Sequence, residues 1–393
     1  MNEAQDERRA LVCPKRIGIL VLKASTGAGG LETYEIEMVR AIASLDSFNE
    51  YHVICASPVD PAAFEVQQPN VTFHRLCPDA RIVALSIGFP ILARRLRLDA
   101  FHVTFVPPLW SGCPYVFTAH GPEMFVDPHF YPLAIRLRMN TLIRHGYRNA
   151  AHIVAVSEST SEYLQAHFKV PASRISVAYN GVNPAFRPFG SGIAQRAVAS
   201  RFGLTNRYLL FVGRVEPRKN PVRVIEAFAL ARAHLTDGTR LVIAGDKTWS
   251  AREVDRAIMR LGLGAHVCVL GHISLEALIQ LYGAADMLVY PSLWEGFGLP
   301  IIEAMACGTP VVTANIAAMP EVAGGGATLV NPNDSVDIAR GIIAVAQRDQ
   351  ATRQREREFG FKRAKSFTWR SAAQKTISAY LGAIQCREDC ATS

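Results

Sequence analysis

Glu295 and Glu303 lie eight residues apart in Glu295-Gly-Phe-Gly-Leu-Pro-Ile-Ile-Glu303. The Gly-rich half of this stretch is a loop. Pro300 suits the first position of a helix, where a missing N–H costs nothing, and Gly308 suits its stop. Glu295 then falls just before a helix, and Glu303 on its first turn or just past it. A helix start exposes unpaired N–H groups and partial positive charge, so it takes an anion such as phosphate. Carboxylates beside it suit hydroxyl-rich groups flanking that phosphate. The competing reading is that Glu303 caps its own helix and Glu295 is solvated.

A second set is basic. Arg214 ends a strand in Phe211-Val-Gly-Arg-Val-Glu-Pro-Arg-Lys-Asn220, and Lys219 follows just before a helix start at Asn220-Pro221. An Arg fork and a Lys point charge beside a helix N-terminus make a diphosphate clamp; a solvated turn with Glu216 as local partner is the alternative. Gly27-Ala-Gly-Gly30 is not a GxGxxG fingerprint, and no acidic residue supports NAD binding. Gly29 and Gly30 either let the backbone approach a ligand or form an ordinary turn. His120, in Phe117-Thr-Ala-His-Gly-Pro-Glu-Met124, directly follows a strand. A lone His there is more often a packing residue than a catalyst. No His/Cys/Asp set has metal spacing, and no nucleophile elbow is present.

These residues need a frame that brings strand ends together. Arg16–Leu22, Tyr51–Ala56, Phe101–Phe105, Tyr115–Ala119 and His152–Val156 read as short buried strands, with a helical pattern over Leu31–Leu45. The density of Gly, Pro and Asn from Asn180 to Gly192 reads as a linker. Strands then resume at Tyr208–Val212, Arg240–Ala244, Val267–Leu270, Met287–Tyr290 and Pro310–Thr313, with helices between them. Such alternation predicts an α/β fold of two doubly wound, Rossmann-like domains facing a cleft. The expected divisions are residues 1–188, 189–365 and a last helix in 366–393. Ligands bind beyond the carboxyl ends of such strands, so Gly29, Gly30, His120, Arg214 and Glu295 can share one cleft.

The 393 residues are 49% hydrophobic and 19% charged, with a formal charge of +8. That composition fits two sizeable cores. The positive charge is spread, with no block resembling a nucleic-acid tail, so no nucleic-acid partner is expected. Arg94, Arg95 and Arg97, and the alternating apolar and basic run Ile135–Arg148, permit peripheral contact with an anionic membrane. A core-packed helix with a solvated basic face is the competing reading. No signal peptide or spanning segment is evident, so a cytoplasmic protein is expected. Eight scattered cysteines form no CxxC.

The ordered set Gly213-Arg214, Lys219-Asn220, Ala244-Gly245, Gly271-His272, Ala285-Asp286, Pro291-Ser292 and Glu295-x7-Glu303 resembles the GT-B-fold retaining glycosyltransferases of family 4. Gly29-Gly30 with Tyr34, and Thr118-Ala-His120, match more loosely. The resemblance implies a nucleotide-sugar donor, no cofactor and no metal, and an acceptor-binding first domain. It implies that Arg214 and Lys219 hold the diphosphate and Glu303 the ribose. Glu295, Gly296 and the amides of Phe297, Gly298 and Leu299 would hold the sugar and nearby phosphate. His272 and Ile273 would flank the base, Gly29 and Gly30 would touch the phosphate, and His120 would face the sugar. The last helix would cross back to the first domain. Many relatives carry Asp after the cleft His, whereas here Gly121 follows, with Glu123 two residues on. Mannosyltransferase-like segments favour GDP-mannose as donor, with UDP sugars as the alternative, and a glycan or lipid-linked acceptor. The competing classes are a pyridoxal-phosphate phosphorylase, a nucleotide-sugar epimerase and a sugar-nucleotide-binding protein without transfer activity.

Overall fold

The computed structural model describes residues 13–392 other than 25, 28, 57, 109, 122–132, 190–191 and 247–250. Glu123 and the linker residues Gly190 and Ser191 lie outside the described residues. The first sheet holds β1 (Arg16–Val21), β2 (Glu50–Ala56), β3 (Val71–Leu76), β4 (Ala100–Val103), β5 (Tyr115–Ala119), β6 (His152–Ala155) and β7 (Ile175–Val177). Its order is β3-β2-β1-β4-β5-β6-β7, and every pairing is parallel. The second holds β8 (Tyr208–Val212), β9 (Arg240–Ala244), β10 (Val267–Gly271), β11 (Met287–Tyr290), β12 (Val311–Ala314) and β13 (Thr328–Val330). It runs β10-β9-β8-β11-β12-β13, again all parallel.

Parallel strands covered on both faces read as unbroken apolar runs. β8, Tyr-Leu-Leu-Phe-Val, is buried throughout. Side chains of β1 divide between two cores. Ile17, Ile19 and Val21 join Tyr34, Met38 and Ile42 of the Gly30–Leu45 helix on one face. Leu20 joins Phe89, Phe117 and Tyr147 on the other.

Strand order reverses between β1 and β4, and again between β8 and β11. At such a switch point neighbouring loops diverge and leave a crevice. The Gly27–Gly30 loop follows β1, the Arg214 loop follows β8 and the Glu295 loop follows β11. The helix Trp369–Thr392 comes after the second sheet, yet packs on Gly30–Leu45 and on β4 to β7. Where the chain passes between the halves its two crossings touch, with Val182 N–H donating to Phe367 O at 3.1 Å.

Candidate active site

The helix after β11 runs Leu299–Cys307. Pro300 is therefore its second residue rather than its first, and Glu303 lies a full turn inside. Gly298 caps the start in the left-handed region, at φ 97°. Glu303 is buried, and Tyr282 Oη donates to its Oε2 at 3.0 Å. Burial pushes the Glu303 carboxyl up to about 7, against the opposing effects of that hydroxyl and the Lys219 charge.

Glu295 is the centre of an ion cluster. Lys219 Nζ donates to Glu295 Oε1 and to Tyr290 Oη, both at 2.6 Å. Arg218 Nη1 donates to Glu295 Oε2 at 3.0 Å and to Trp294 O at 2.9 Å. Its Nη2 reaches Glu216 Oε1 at 2.8 Å. Burial alone would raise the Glu295 carboxyl; the two cations overcome that and hold it at about 2.

The open clamp expected of Arg214 and Lys219 is thus differently built. Lys219 is turned inward onto Glu295, whereas Arg214 is exposed and lines the cavity between the halves, beside Gly213, against which the Lys219 stem packs. The cause is local. A 3-10 turn, Pro217–Lys219, ends on Asn220 in the left-handed region. Asn220 Nδ2 donates to Pro291 O at 3.0 Å and Pro332 O at 2.6 Å, pinning the turn to the loops after β11 and β13. Glu216 pairs with Arg218, whose role its position beside Lys219 does not reveal.

The first half supplies the opposite wall. His120 Nε2 is buried without a hydrogen-bond partner among the described residues. Burial lowers its pKa to about 3, so the ring is neutral at neutral pH. The ring stands edge-on to Tyr34, with centroids 4.4 Å apart. Tyr34 Oη lies 2.9 Å from Thr118 Oγ1, which lies 2.7 Å from His102 Nε2. His102 Nδ1 is 2.8 Å from Tyr380 Oη on the last helix. A neutral His donates from one nitrogen and accepts at the other, so this buried relay ties the last helix to the ring beside His120.

The two halves meet at the Glu295 loop. Thr160 Oγ1 donates to Gly296 O at 3.3 Å. A Cβ on Gly296 would stand 1.7 Å from His120 O, so only glycine permits the approach. Nearby, Glu321 accepts from the N–H groups of Glu158 at 2.8 Å and Ser159 at 3.1 Å, at the start of the Glu158–Phe168 helix.

A cavity of about 410 Å³ lies between the halves. Gly29 of the first and Arg214, His272, Ile273 and Glu303 of the second are among its lining residues, with Asp246 beside His272. Its size falls within the ~300–1,000 Å³ range of small-molecule sites. His120, Lys219, Glu295 and residues 296–299 are not in that lining; the halves touch beside it, where Gly296 meets His120 and Thr160. Gly30 packs beside Leu299 of the other half. Phe297 and Leu299 are buried. A larger apolar cavity of about 770 Å³, lined by Val182, Phe186, Phe367 and Trp369, lies at the chain crossings. Among the described residues, no group of three or more His, Cys, Asp or Glu could hold a metal ion.

Glu35 is not evident from sequence, because a Glu in a helical pattern reads as solvent-facing. It is buried and accepts from Leu22, Lys23 and Ala24 N–H at 3.1, 2.7 and 2.8 Å and from Thr104 Oγ1 at 2.6 Å. It therefore shapes the chain leaving β1 before the glycine loop. Glu35→Ala strands these buried donors, each worth about 1–3 kcal/mol when unmet. The expected result is a loss of about 3 kcal/mol or more, read as a lower thermal midpoint.

Residues 28–186 match the family described as Glycosyltransferase Family 4, and residues 196–363 that described as Glycosyl transferases group 1. The O-antigen chain mannosyltransferase B of Escherichia coli is 31% identical over 67% of this chain and 69% of its own length. A solved sucrose-phosphate synthase from Thermosynechococcus elongatus superposes with a TM-score of 0.77 at 21% identity, covering 96% of this chain and all of that one. Anabaena HepE in complex with UDP-glucose gives 0.71 at 21% identity, over 93% of this chain and 99% of that one. The chain belongs to the group 1, family 4 glycosyltransferases, and its paired doubly wound sheets are the GT-B fold.

Proposed function

We propose that the protein is a retaining, metal-independent transferase. It moves a hexose from a nucleotide sugar to a glycan or lipid-linked acceptor, in cell-surface polysaccharide or glycolipid synthesis. The observation that carries this reading is convergence. A nucleotide-sized cavity holding Arg214 and Glu303 adjoins a helix start and the Lys219–Glu295 pair, all at the ends of β8 and β11.

In this reading residues 1–188 hold the acceptor, 189–365 hold the donor, and 366–393 tie the halves together. Arg214 and Lys219 hold the diphosphate, and Glu303 takes the ribose hydroxyls. Glu295, with the N–H groups of Phe297, Gly298 and Leu299, holds the sugar and its phosphate. His272 and Ile273 flank the base. Gly29 and Gly30 bring backbone to the phosphate, and His120 faces the sugar with its free Nε2. As the bond from C1 to the phosphate oxygen breaks, charge collects on the diphosphate, where preorganised cations and N–H groups stabilise it. The acceptor oxygen bonds to C1 on the same face, and its proton passes to the departing phosphate. Contact between the halves excludes water.

A UDP sugar is the favoured donor, supported by the UDP-glucose bound to the fold relative HepE. GDP-mannose, the donor expected from the sequence, is the second reading. Its support is the O-antigen mannosyltransferase. A thermal-shift screen over UDP-, GDP-, ADP- and dTDP-sugars decides between them. A ligand at about 100 Kd stabilises the folded state by about 2.7 kcal/mol. A rise with GDP-mannose alone selects the second reading, and no rise with any sugar nucleotide sinks both.

Glu303 accepts two ribose hydroxyls only as a carboxylate. Its carboxyl is raised to about 7, so it is protonated below and charged above that value. Nucleotide affinity is therefore expected to increase as pH rises through about 7, and binding below it should release a proton. Tyr282→Phe removes a hydroxyl that favours the charged form, so the midpoint should move to higher pH. Calorimetry in buffers of different ionisation enthalpy counts the proton. A flat affinity profile across neutrality removes Glu303 from the ribose.

A further inference from the structure

The apolar cavity at the chain crossings has no part in the proposed transfer. Its walls come from the Gly30–Leu45 helix of the first half and from the Leu299–Cys307 and Gln350–Lys365 helices of the second. The two crossings complete it, one after β7 and one at Phe367 to Arg370. Both halves and both crossings therefore meet around one volume of about 770 Å³. That lies within the ~300–1,000 Å³ range of small-molecule sites, which are mostly apolar with a few placed polar groups.

Two chemistries line it. Val182, Phe186, Phe361, Phe367 and Trp369 are apolar, while Arg187, Lys365 and Arg370 are cations. All three cations are exposed, and none has an ion-pair partner among the described residues. Arg40 is a fourth cation in the lining, but Glu37 at 3.2 Å and Glu65 at 2.7 Å already pair it. Glu37 is the one carboxylate among the described lining residues. Unpaired cations beside an apolar volume complement a molecule with an apolar body and an anionic end. A neutral apolar ligand leaves the cations unused, and a polyanion leaves the aromatic lining unused.

The position of the cavity gives such a ligand a consequence. Glu37, Arg40 and Phe186 line it and line the nucleotide-sized cavity as well. Asn183 Nδ2 donates to Glu37 Oε1 at 2.8 Å, which ties the first crossing to that shared wall. Two helices also reach both sites. One presents Glu32 and Thr33 to the nucleotide-sized cavity and Ala41 and Ser44 to this one; the other presents Glu303 and Ala306. A molecule at the crossings touches both halves, and so does a nucleotide between Gly29 and Arg214. Each binds best at the angle between the halves that the other also holds, so their affinities rise together.

We propose that the cavity at the crossings is a binding site for a small amphipathic anion, an apolar chain ending in one carboxylate or phosphate, and that filling it tightens nucleotide binding in the cleft. The coupling rests on the donor-site reading above; the binding itself does not.

Binding is tested first, on the full chain and without nucleotide. Laurate, farnesyl phosphate and uncharged dodecanol, each below its aggregation limit, compete with 8-anilinonaphthalene-1-sulfonate. The anions should displace the dye at least about tenfold more effectively than the alcohol, since each gives an unpaired cation a charge-assisted partner. Tighter binding of laurate assigns the site to acyl carboxylates, and tighter binding of farnesyl phosphate to prenyl phosphates; either supports it. Arg187→Gln, Lys365→Gln and Arg370→Gln together should erase the difference between anion and alcohol. These positions are exposed, so an unchanged thermal midpoint shows an intact protein. Ala41→Phe, which adds a ring to the lining, should weaken all three competitors. UDP and GDP are then titrated with and without the tighter anion at saturation. A gain of about fivefold or more is expected for the nucleotide that binds, and the anion should tighten by the same factor when that nucleotide is present. Equal displacement by dodecanol and the anions overturns the site, as does displacement unchanged in the triple variant. Nucleotide affinity indifferent to the bound anion overturns the coupling. A dimer abolished by the triple substitution, with no amphiphile bound, overturns the proposal in favour of self-association. If neither nucleotide binds while the anion still does, the donor-site reading fails and the anion site stands.

Discussion

Lys219→Ala is expected to lower kcat for sugar transfer by about 10²–10³-fold, the loss seen when a single preorganised donor is removed from a developing oxyanion. Lys219 Nζ is shared between Glu295 and Tyr290, at 2.6 Å from each. Entry of a donor diphosphate gives that ammonium a second anion and leaves Arg218 to hold Glu295. Glu295→Ala should cost turnover on the same scale but do more harm to the fold. It removes the shared counter-ion of two largely buried cations, whereas Lys219→Ala leaves Glu295 still paired to Arg218. Breaking a buried pair from the side that strands charge typically costs about 3–5 kcal/mol. The thermal midpoint should therefore fall further for Glu295→Ala than for Lys219→Ala. The double variant should be little slower than the worse single one, because residues acting as a unit are not additive. Steady-state kinetics with matched acceptor and calorimetric midpoints measure both. Wild-type turnover in Lys219→Ala would remove the lysine from the reaction.

Much of the frame is legible because buried parallel strands have few ways to be written. Tyr208–Val212, Arg240–Ala244 and Met287–Tyr290 coincide with β8, β9 and β11. The strands that escape are edge strands. In β3, Val-Thr-Phe-His-Arg-Leu, polar and apolar residues mix because one side meets solvent, and β7 and β13 span only three residues each. The helix Gln350–Lys365 is also hidden, since charge surrounds it on most sides. At the site, residue types are legible while partners are not. A Lys five residues after an Arg reads as half of a clamp, but its partner Glu295 is seen only with the Asn220 turn in place. Sequence distance hides the relay from Tyr380 to His102 as well, since those residues are 278 positions apart. Glu35 stays hidden because helical periodicity reports which face a residue occupies, and carries nothing about a loop folding over that face.

Gly296→Ala is expected to damage turnover severely for so small a substitution, with a loss of stability beside it. The added Cβ would stand 1.7 Å from His120 O, 2.6 Å from His120 C and 3.1 Å from Gly121 Cα. All three are backbone atoms, held at the end of β5, so no side chain can swing away. Either the Glu295 loop retreats or the two halves part. Both outcomes move Glu295 and the N–H groups of Phe297 and Gly298 by the order of an ångström relative to His120. A misplacement of that size costs about 10²-fold in rate, and admitting water between the halves adds to it. Phe297 and Leu299 of the same loop belong to an apolar core shared by both halves, so the displacement should lower the thermal midpoint as well. Nucleotide binding should persist, because residue 296 is not among those lining the cavity of Arg214 and Glu303. Gly298→Ala provides the contrast. Its φ of 97° lies where a Cβ is strained, and it caps the Leu299–Cys307 helix, so it should lose stability by about 1 kcal/mol or more. Turnover lost in Gly296→Ala with nucleotide binding kept, and stability lost in Gly298→Ala with turnover per folded molecule kept, would assign the first glycine to contact between domains and the second to the helix. Wild-type turnover in Gly296→Ala would mean that the contact with His120 plays no part in catalysis.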